Sequence, residues 1–295
     1  VLTTGAAFAD PVNLKFASFV PGRSKTMSDV MAPFAEDVNA ASNGTLNIEF
    51  FPGGVLGRAP AQQLKLLQDG VTDIAYIIPA YTPGVFPDNE IFELPLLAQN
   101  VKDGTFAIWR MFEQGQLRGY EDLKVLGLFA TPQVMHTTFP LDDLDAFQGK
   151  KIRSAGYIQN QITEALGAVP VGMVATQMAE SVSRGLVTGL MADWNVLKIY
   201  GLQDFTTHHL EAPMGLVPVL VAMNKDKYES LPQEAKDALA KYSGEPFSQR
   251  YVDVLGPVLD AGKAEFEADP KHDVRSLTEA EYADWRARFE PLYKK

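Results

Sequence analysis

A chain of 295 residues with 46% hydrophobic content can bury one large core or two smaller ones. Its 26 basic and 37 acidic side chains give a formal net charge of −11, which argues against nucleic acid or an anionic membrane surface as partner but leaves room for a small anion held by one or two placed cations. The absence of cysteine excludes disulfides, thiolate metal sites and a cysteine nucleophile.

Residues 1–9, VLTTGAAFA, are small and apolar, and Ala7-Phe8-Ala9 before Asp10-Pro11 has the form of a signal-peptidase site. The expectation is the residual tail of an export signal and a periplasmic location. No apolar run reaches the roughly 18 residues of a membrane-spanning helix, so the protein is not expected to be membrane-embedded. Asn13 to Phe19 reads as a first strand, and Pro21-Gly22 turns the chain. From Thr26 to Asn43 the residues Met27, Val30, Met31, Phe34 and Val38 fall on one helical face, and Asn43-Gly44 stops the helix. Leu46, Ile48 and Phe50 alternate in a strand. A turn follows at Gly53-Gly54-x-x-Gly57, where the lysine and hydroxyl of a phosphate loop are missing. A short helix from Ala61 to Asp69 and a strand from Val71 to Ile78 complete a β-α-β-α-β order, which argues for a parallel sheet with crossover helices.

After an aromatic, proline-rich loop (Pro79 to Pro95) come a helix from Asp103 to Leu117 and a strand from Lys124 to Ala130. A second unit starts near Pro132 and repeats the grammar: strand Lys151 to Ser154, helix Ile158 to Leu166, strand Val169 to Val174, helix Gln177 to Arg184 and a short strand around Leu190. Apolar runs at Thr206 to Leu210 and Gly215 to Met223 follow. A helical pattern then opens at Pro232 and runs towards Glu267, with kinks expected at Gly244-Pro246 and Gly256-Pro257. The C-terminal helix opens on a capping box, Thr278-x-x-Glu281.

Catalytic signatures are scarce. His208 and His209 are neighbours on a strand, so they face opposite sides and cannot share a metal. The more telling stretch is Lys151-Ile152-Arg153. If Ile152 points into a core, Arg153 points the other way, at the end of a strand, where open α/β sheets place their ligand crevice. Its guanidinium is a planar fork matched to a carboxylate. The alternative is a surface arginine paired with Asp142, Asp143 or Asp145. Phe19, Tyr81 and Trp194 also lie after strand ends, where they serve either packing or ligand contact.

Several segments, in order, resemble the periplasmic solute-binding subunit of TRAP transporters, the DctP-like family. They are Phe51-Pro52-Gly53-Gly54-x-Leu56-Gly57, Gln68-x-Gly70-Val71-x-Asp73-Ile74, Leu94-Pro95-Leu96, Gly149-x-Lys151-Ile152-Arg153, Gly167-Ala168-x-Pro170-Val171 and Gly185-x-Val187-x-Gly189. The resemblance implies an α/β, two-lobed periplasmic binding-protein fold (type II-like), two domains with a hinge and a long bridging helix. Lobe I would take residues 10–130 plus 216–255 and lobe II residues 131–215 plus 256–295. It further implies that Arg153 pairs with a ligand carboxylate and that the membrane permease subunits are the partner. The segment Thr131 to His136 lacks the second arginine that sialic-acid and dicarboxylate binders of the family carry there, and Thr188 replaces the usual aspartate. With Trp194, Asn195, Tyr81, Phe19, Met173 and His136 as the other candidate pocket residues, the expected ligand is a monocarboxylate with an apolar or aromatic body. No cofactor or metal is expected. An enzyme using Arg153 to hold an anionic substrate, and a sensor presenting its closed state to a receptor, are the alternatives.

Overall fold

The computed structural model describes residues 10–97 and 100–294, so the export-signal reading of residues 1–9 lies outside the described residues. In chain order the strands are β1 Val12–Ala17, β2 Leu46–Phe51, β3 Ile74–Ile77, β4 Leu123–Pro132, β5 Val134–Thr137 and β6 Lys151–Ser154. They continue with β7 Val169–Gly172, β8 Gly189–Ala192, β9 His208–Glu211, β10 Leu216–Asn224 and β11 Asp273–Ser276. One sheet has the order β2-β1-β3-β10-β4 and the other β11-β9-β5-β8-β6-β7. The expected parallel β-α-β-α-β start is present as β1 paired in parallel with both β2 and β3. The late strand β10 runs antiparallel between β3 and β4. Each sheet is the floor of one lobe.

The helical face of Met27, Val30, Met31, Phe34 and Val38 is buried against β1 and β2. Its first part is wound more widely than expected. Thr26–Met31 is a π-helix and the α-helix proper is Ala32–Ala41. Pro33 has no N–H to give, and the Ala32 amide reaches back to the Met27 carbonyl. The kink expected at Gly244-Pro246 is a full break, into the helices Gln233–Tyr242 and Glu245–Ala268. Gly244 sits between them at φ 73°, and its amide donates to Leu126 O at 2.7 Å. A Cβ there would stand 2.8 Å from the Trp109 ring, so packing against Trp109 demands the glycine. Pro257 is accommodated inside the second of these helices.

The chain passes between lobes at β4 to β5, at β9 to β10 and along the helix Glu245–Ala268. The first two crossings are tied to each other: Gln133 N donates to Gly215 O (3.0 Å) and Met214 N donates to Gln133 O (3.2 Å). Gly215, at φ 85°, lies so close to the helix Glu90–Glu93 that a Cβ would meet Glu93 O at 2.1 Å. The Glu93 carboxyl is itself buried, its Oε2 has no hydrogen-bond partner, and it shares a small interlobe cavity with Asn89, Glu90 and Tyr157. Burial, with a contribution from Glu90, pushes it up to about 8.

Candidate functional site

Strand β6 pairs in parallel with β7 and β8, and Arg153 stands opposite Val171 and Leu190. Ile152 turns into the core of the second lobe with Leu141 and Phe147, so Arg153 turns to the side that faces the first lobe. Only 3% of Arg153 is exposed. Its Nε donates to Met173 O (3.0 Å), Nη1 to Met191 O (3.3 Å) and Nη2 to the Tyr81 hydroxyl (3.0 Å). No carboxylate among the described residues lies within 4.0 Å of it. The alternative pairing with the Asp142–Asp145 segment is not formed. Asp143 caps the turn Leu144–Phe147, and Asp145 lies 3.6 Å from Arg288.

Tyr81 comes from the first lobe, in the turn Pro79–Tyr81 that follows β3. Its oxygen accepts from Arg153 Nη2 and also from Ala175 N at 3.0 Å. The phenol's own hydrogen has no protein acceptor among the described residues. The lobes also meet where a Cβ on Gly156 would lie 3.1 Å from Ala80 Cβ, and where Arg23 Nη2 donates to Ile199 O at 2.6 Å. Between them is a cavity of about 90 Å³ into which Arg153, Tyr81, Phe19, Tyr76, Asn195 and Tyr200 face. Ile78, Met178 and Leu255 give it apolar walls.

Asp193 lines the same cavity. It caps the helix Trp194–Tyr200: Oδ1 accepts from Val196 N (2.8 Å) and Oδ2 from Thr131 Oγ1 (2.7 Å). The carboxyl is thus held from two sides, by the Val196 amide and the Thr131 hydroxyl. Burial pushes it above the usual carboxylate range, against the pull of those hydrogen bonds.

Of the residues singled out in the sequence, Arg153, Tyr81, Phe19 and Asn195 are brought together. Met173 contributes a carbonyl to Arg153 while its side chain packs against the core. Trp194 and His136 are not at the cavity, contrary to expectation. Trp194 is 4% exposed and packs on the rings of His136 (5.0 Å), His209 (5.2 Å) and Phe266 (5.3 Å). His136 is fully buried. Its Nε2 lies 3.2 Å from Ala192 O and its Nδ1 2.7 Å from His209 Nδ1, while His209 Nε2 lies 2.9 Å from His272 Nδ1. A carbonyl only accepts, so His136 carries its hydrogen on Nε2, and each following ring donates from Nδ1. Burial holds His136 down at about 3 and His209 at about 2, which keeps both rings neutral. His208 faces the other way, 3.6 Å from Asp273, as strand alternation requires. No group of three or more His, Asp or Glu among the described residues is arranged to hold a metal ion.

A larger groove of about 680 Å³ lies on the hinge side and includes Trp194, Glu211 and Lys263. Of its two lysines Lys263 pairs with Glu211 at 3.3 Å, and the carboxyls of Asp103, Asp193, Glu211 and Asp260 outnumber them, whereas the smaller cavity holds Arg153 with no carboxylate of the described residues within 4.0 Å. Chemistry therefore favours the smaller one. Sequence reasoning missed Tyr76, Tyr200 and Asp193 there. A usable signal existed for the helix: Asn195, Val196, Ile199 and Tyr200 share one face, and all four line the cavity.

The sequence profile of the bacterial extracellular solute-binding protein family 7, DctP, matches residues 16–295. The chain belongs to this family. A TRAP solute-binding protein from a marine metagenome, specific for aromatic acid ligands and solved with 3-hydroxybenzoate, is 30% identical; the alignment covers 97% of this chain and 91% of that one, with a TM-score of 0.88. A TRAP solute-binding protein from Rhodoferax ferrireducens, solved with benzoate, is 27% identical over 94% of this chain and 88% of that one, with a TM-score of 0.87. The C4-dicarboxylate-binding periplasmic protein DctP of Rhodobacter capsulatus is 24% identical, with 97% of this chain and 87% of its own length covered. The two sheets are thus the two lobes of a TRAP-type solute-binding protein. This is a family of binding proteins rather than of enzymes. No helix among the described residues is long and apolar enough to cross a membrane.

Proposed function

We propose that this protein captures a monocarboxylate with an apolar or aromatic body at Arg153, in the periplasm, and hands it to the membrane subunits of a TRAP transporter. The observation that carries the reading is the buried guanidinium with no carboxylate of the described residues within 4.0 Å. A charge taken out of water is stabilised only by a partner charge and full hydrogen bonding, and one cation calls for one carboxylate. The unused phenol hydrogen of Tyr81 adds a donor beside it. The apolar walls suit a hydrocarbon body, and two structural relatives were solved with benzoate and 3-hydroxybenzoate. The cavity divides a lobe of residues 10–130 and 216–255 from one of residues 131–215 and 256–295, and closure is a hinge motion that the ligand favours.

Thermal unfolding with benzoate, pyruvate and malate tests this. A ligand at 100 times its Kd adds about 2.7 kcal/mol of stability, a shift of a few degrees for a chain of this size. Benzoate or pyruvate should shift the midpoint and malate should not. Arg153→Met should cost roughly 2–5 kcal/mol of binding, because the carboxylate would be left desolvated and unpaired. A larger shift with malate, or full affinity in Arg153→Met, refutes the reading. Turnover of any of the three acids by the purified protein would favour an enzyme instead.

A further inference from the structure

The carboxylate reading uses Arg153 and Tyr81 and leaves other polar atoms of the same cavity without work. Tyr76, on β3, and Tyr200, the last residue of the helix Trp194–Tyr200, both line it. Neither phenol makes a hydrogen bond with any described residue. Tyr76 is 6% exposed and its ring packs on Phe19 at 5.9 Å. Burial pushes both hydroxyls above the ordinary phenol range, and the Asp193 carboxyl is close enough to add to that push on each. Tyr200 is only partly buried, neither phenol oxygen is fully enclosed, and both residues line the cavity, where each hydroxyl has room to pair with a ligand. Asp193, by contrast, is fixed by Thr131 and the Val196 amide and retains lone pairs for a further donor.

We infer that Tyr76 and Tyr200, with Asp193 beside them, form a hydroxyl-recognition subsite, so that the protein selects an aromatic acid bearing a ring hydroxyl over the bare acid. The inference rests on the carboxylate reading of Arg153. A phenol can both donate and accept, and the fixed Asp193 oxygens retain acceptor lone pairs, so a group that offers a hydrogen and a lone pair together can pair with all three residues. A hydroxyl does so; a methyl of similar size does neither. A site built to pair a hydroxyl rejects the analogue that lacks it, because its own polar groups are then left unpaired.

The test is calorimetric titration of benzoate, 3-hydroxybenzoate, 4-hydroxybenzoate and the two corresponding methylbenzoates into the wild type, Tyr76→Phe and Tyr200→Phe. At least one hydroxybenzoate should bind about tenfold or more tighter than both benzoate and its methyl counterpart. That ratio should fall towards one in Tyr76→Phe or Tyr200→Phe, which keep the ring and remove the hydroxyl. If benzoate binds and no hydroxybenzoate exceeds it, or if the ratio survives in both variants, the subsite is refuted while the role of Arg153 stands. If none of the acids binds the wild type, the subsite is refuted, and pyruvate titrated in the same way decides whether the carboxylate reading of Arg153 falls with it. The wild-type ratio alone decides the matter should either variant fail to fold.

Discussion

Glu93 offers a direct test of how burial is distributed at the seam between the lobes. Its carboxyl is held at about 8 in the folded protein against an ordinary 4.5, with burial the leading cause. The folded state therefore keeps a proton that the unfolded chain gives up between pH 4.5 and 8. Stability from this group is greatest below the unfolded value and is lost as pH rises through the folded one. Across that interval the ceiling is about 5 kcal/mol, at about 1.4 kcal/mol per pH unit. Relaxation and water entry reduce it, so about 2–4 kcal/mol is expected. Glu93→Gln keeps the shape and removes the titration. Thermal midpoints of wild type and variant should nearly coincide at pH 5 and separate by pH 9, with the variant higher by roughly 5 °C. A gap that is the same at pH 5, 7 and 9 would refute the reasoning.

Gly215→Ala should destabilise the protein by more than about 2 kcal/mol, since φ is positive and the new methyl would collide with the Glu93 carbonyl; an unchanged melting point would contradict that. Glu281, paired with Arg275 at 2.9 Å and closing the capping box with Thr278, is held down at about 2. Its stabilisation is present above its ordinary value of 4.5 and is lost as pH falls towards 2. Glu281→Ala should thus cost about 1–2 kcal/mol at neutral pH and progressively less in acid, read from unfolding midpoints across that range. Trp194→Phe should leave affinity for a bound acid within about twofold, because the ring does not reach the cavity; a tenfold loss would return it to the site.

Periodic segments were legible in the chain and side-chain direction past their ends was not. The face running from Met27 to Val38 is defined by spacing alone, and no spacing foretells that Pro33 will widen its first turn. Arg153 could be read because it alternates with Ile152 inside a short strand. Tyr76 could not, because every residue of β3 is buried and no alternation marks which face opens on a cavity. Trp194 and Asn195 are adjacent at the start of one helix, and a rotation of about 100° between neighbours sends Asn195 to the cavity and Trp194 to the histidines. The interruption at Gly244-Pro246 was legible from the glycine and proline, but its packing against Trp109, more than a hundred residues earlier in the sequence, was not.

If the proposed reading holds, the Tyr81 oxygen is a latch made from the same atoms that grip the acid. It reaches from the first lobe to a guanidinium and an amide of the second. On the proposed reading, parting the lobes would withdraw the phenol, readmit water to Arg153 and take one donor from the bound acid in a single movement. Grip and closure would then weaken together, and a membrane partner would need only to pry the lobes apart to unload the protein.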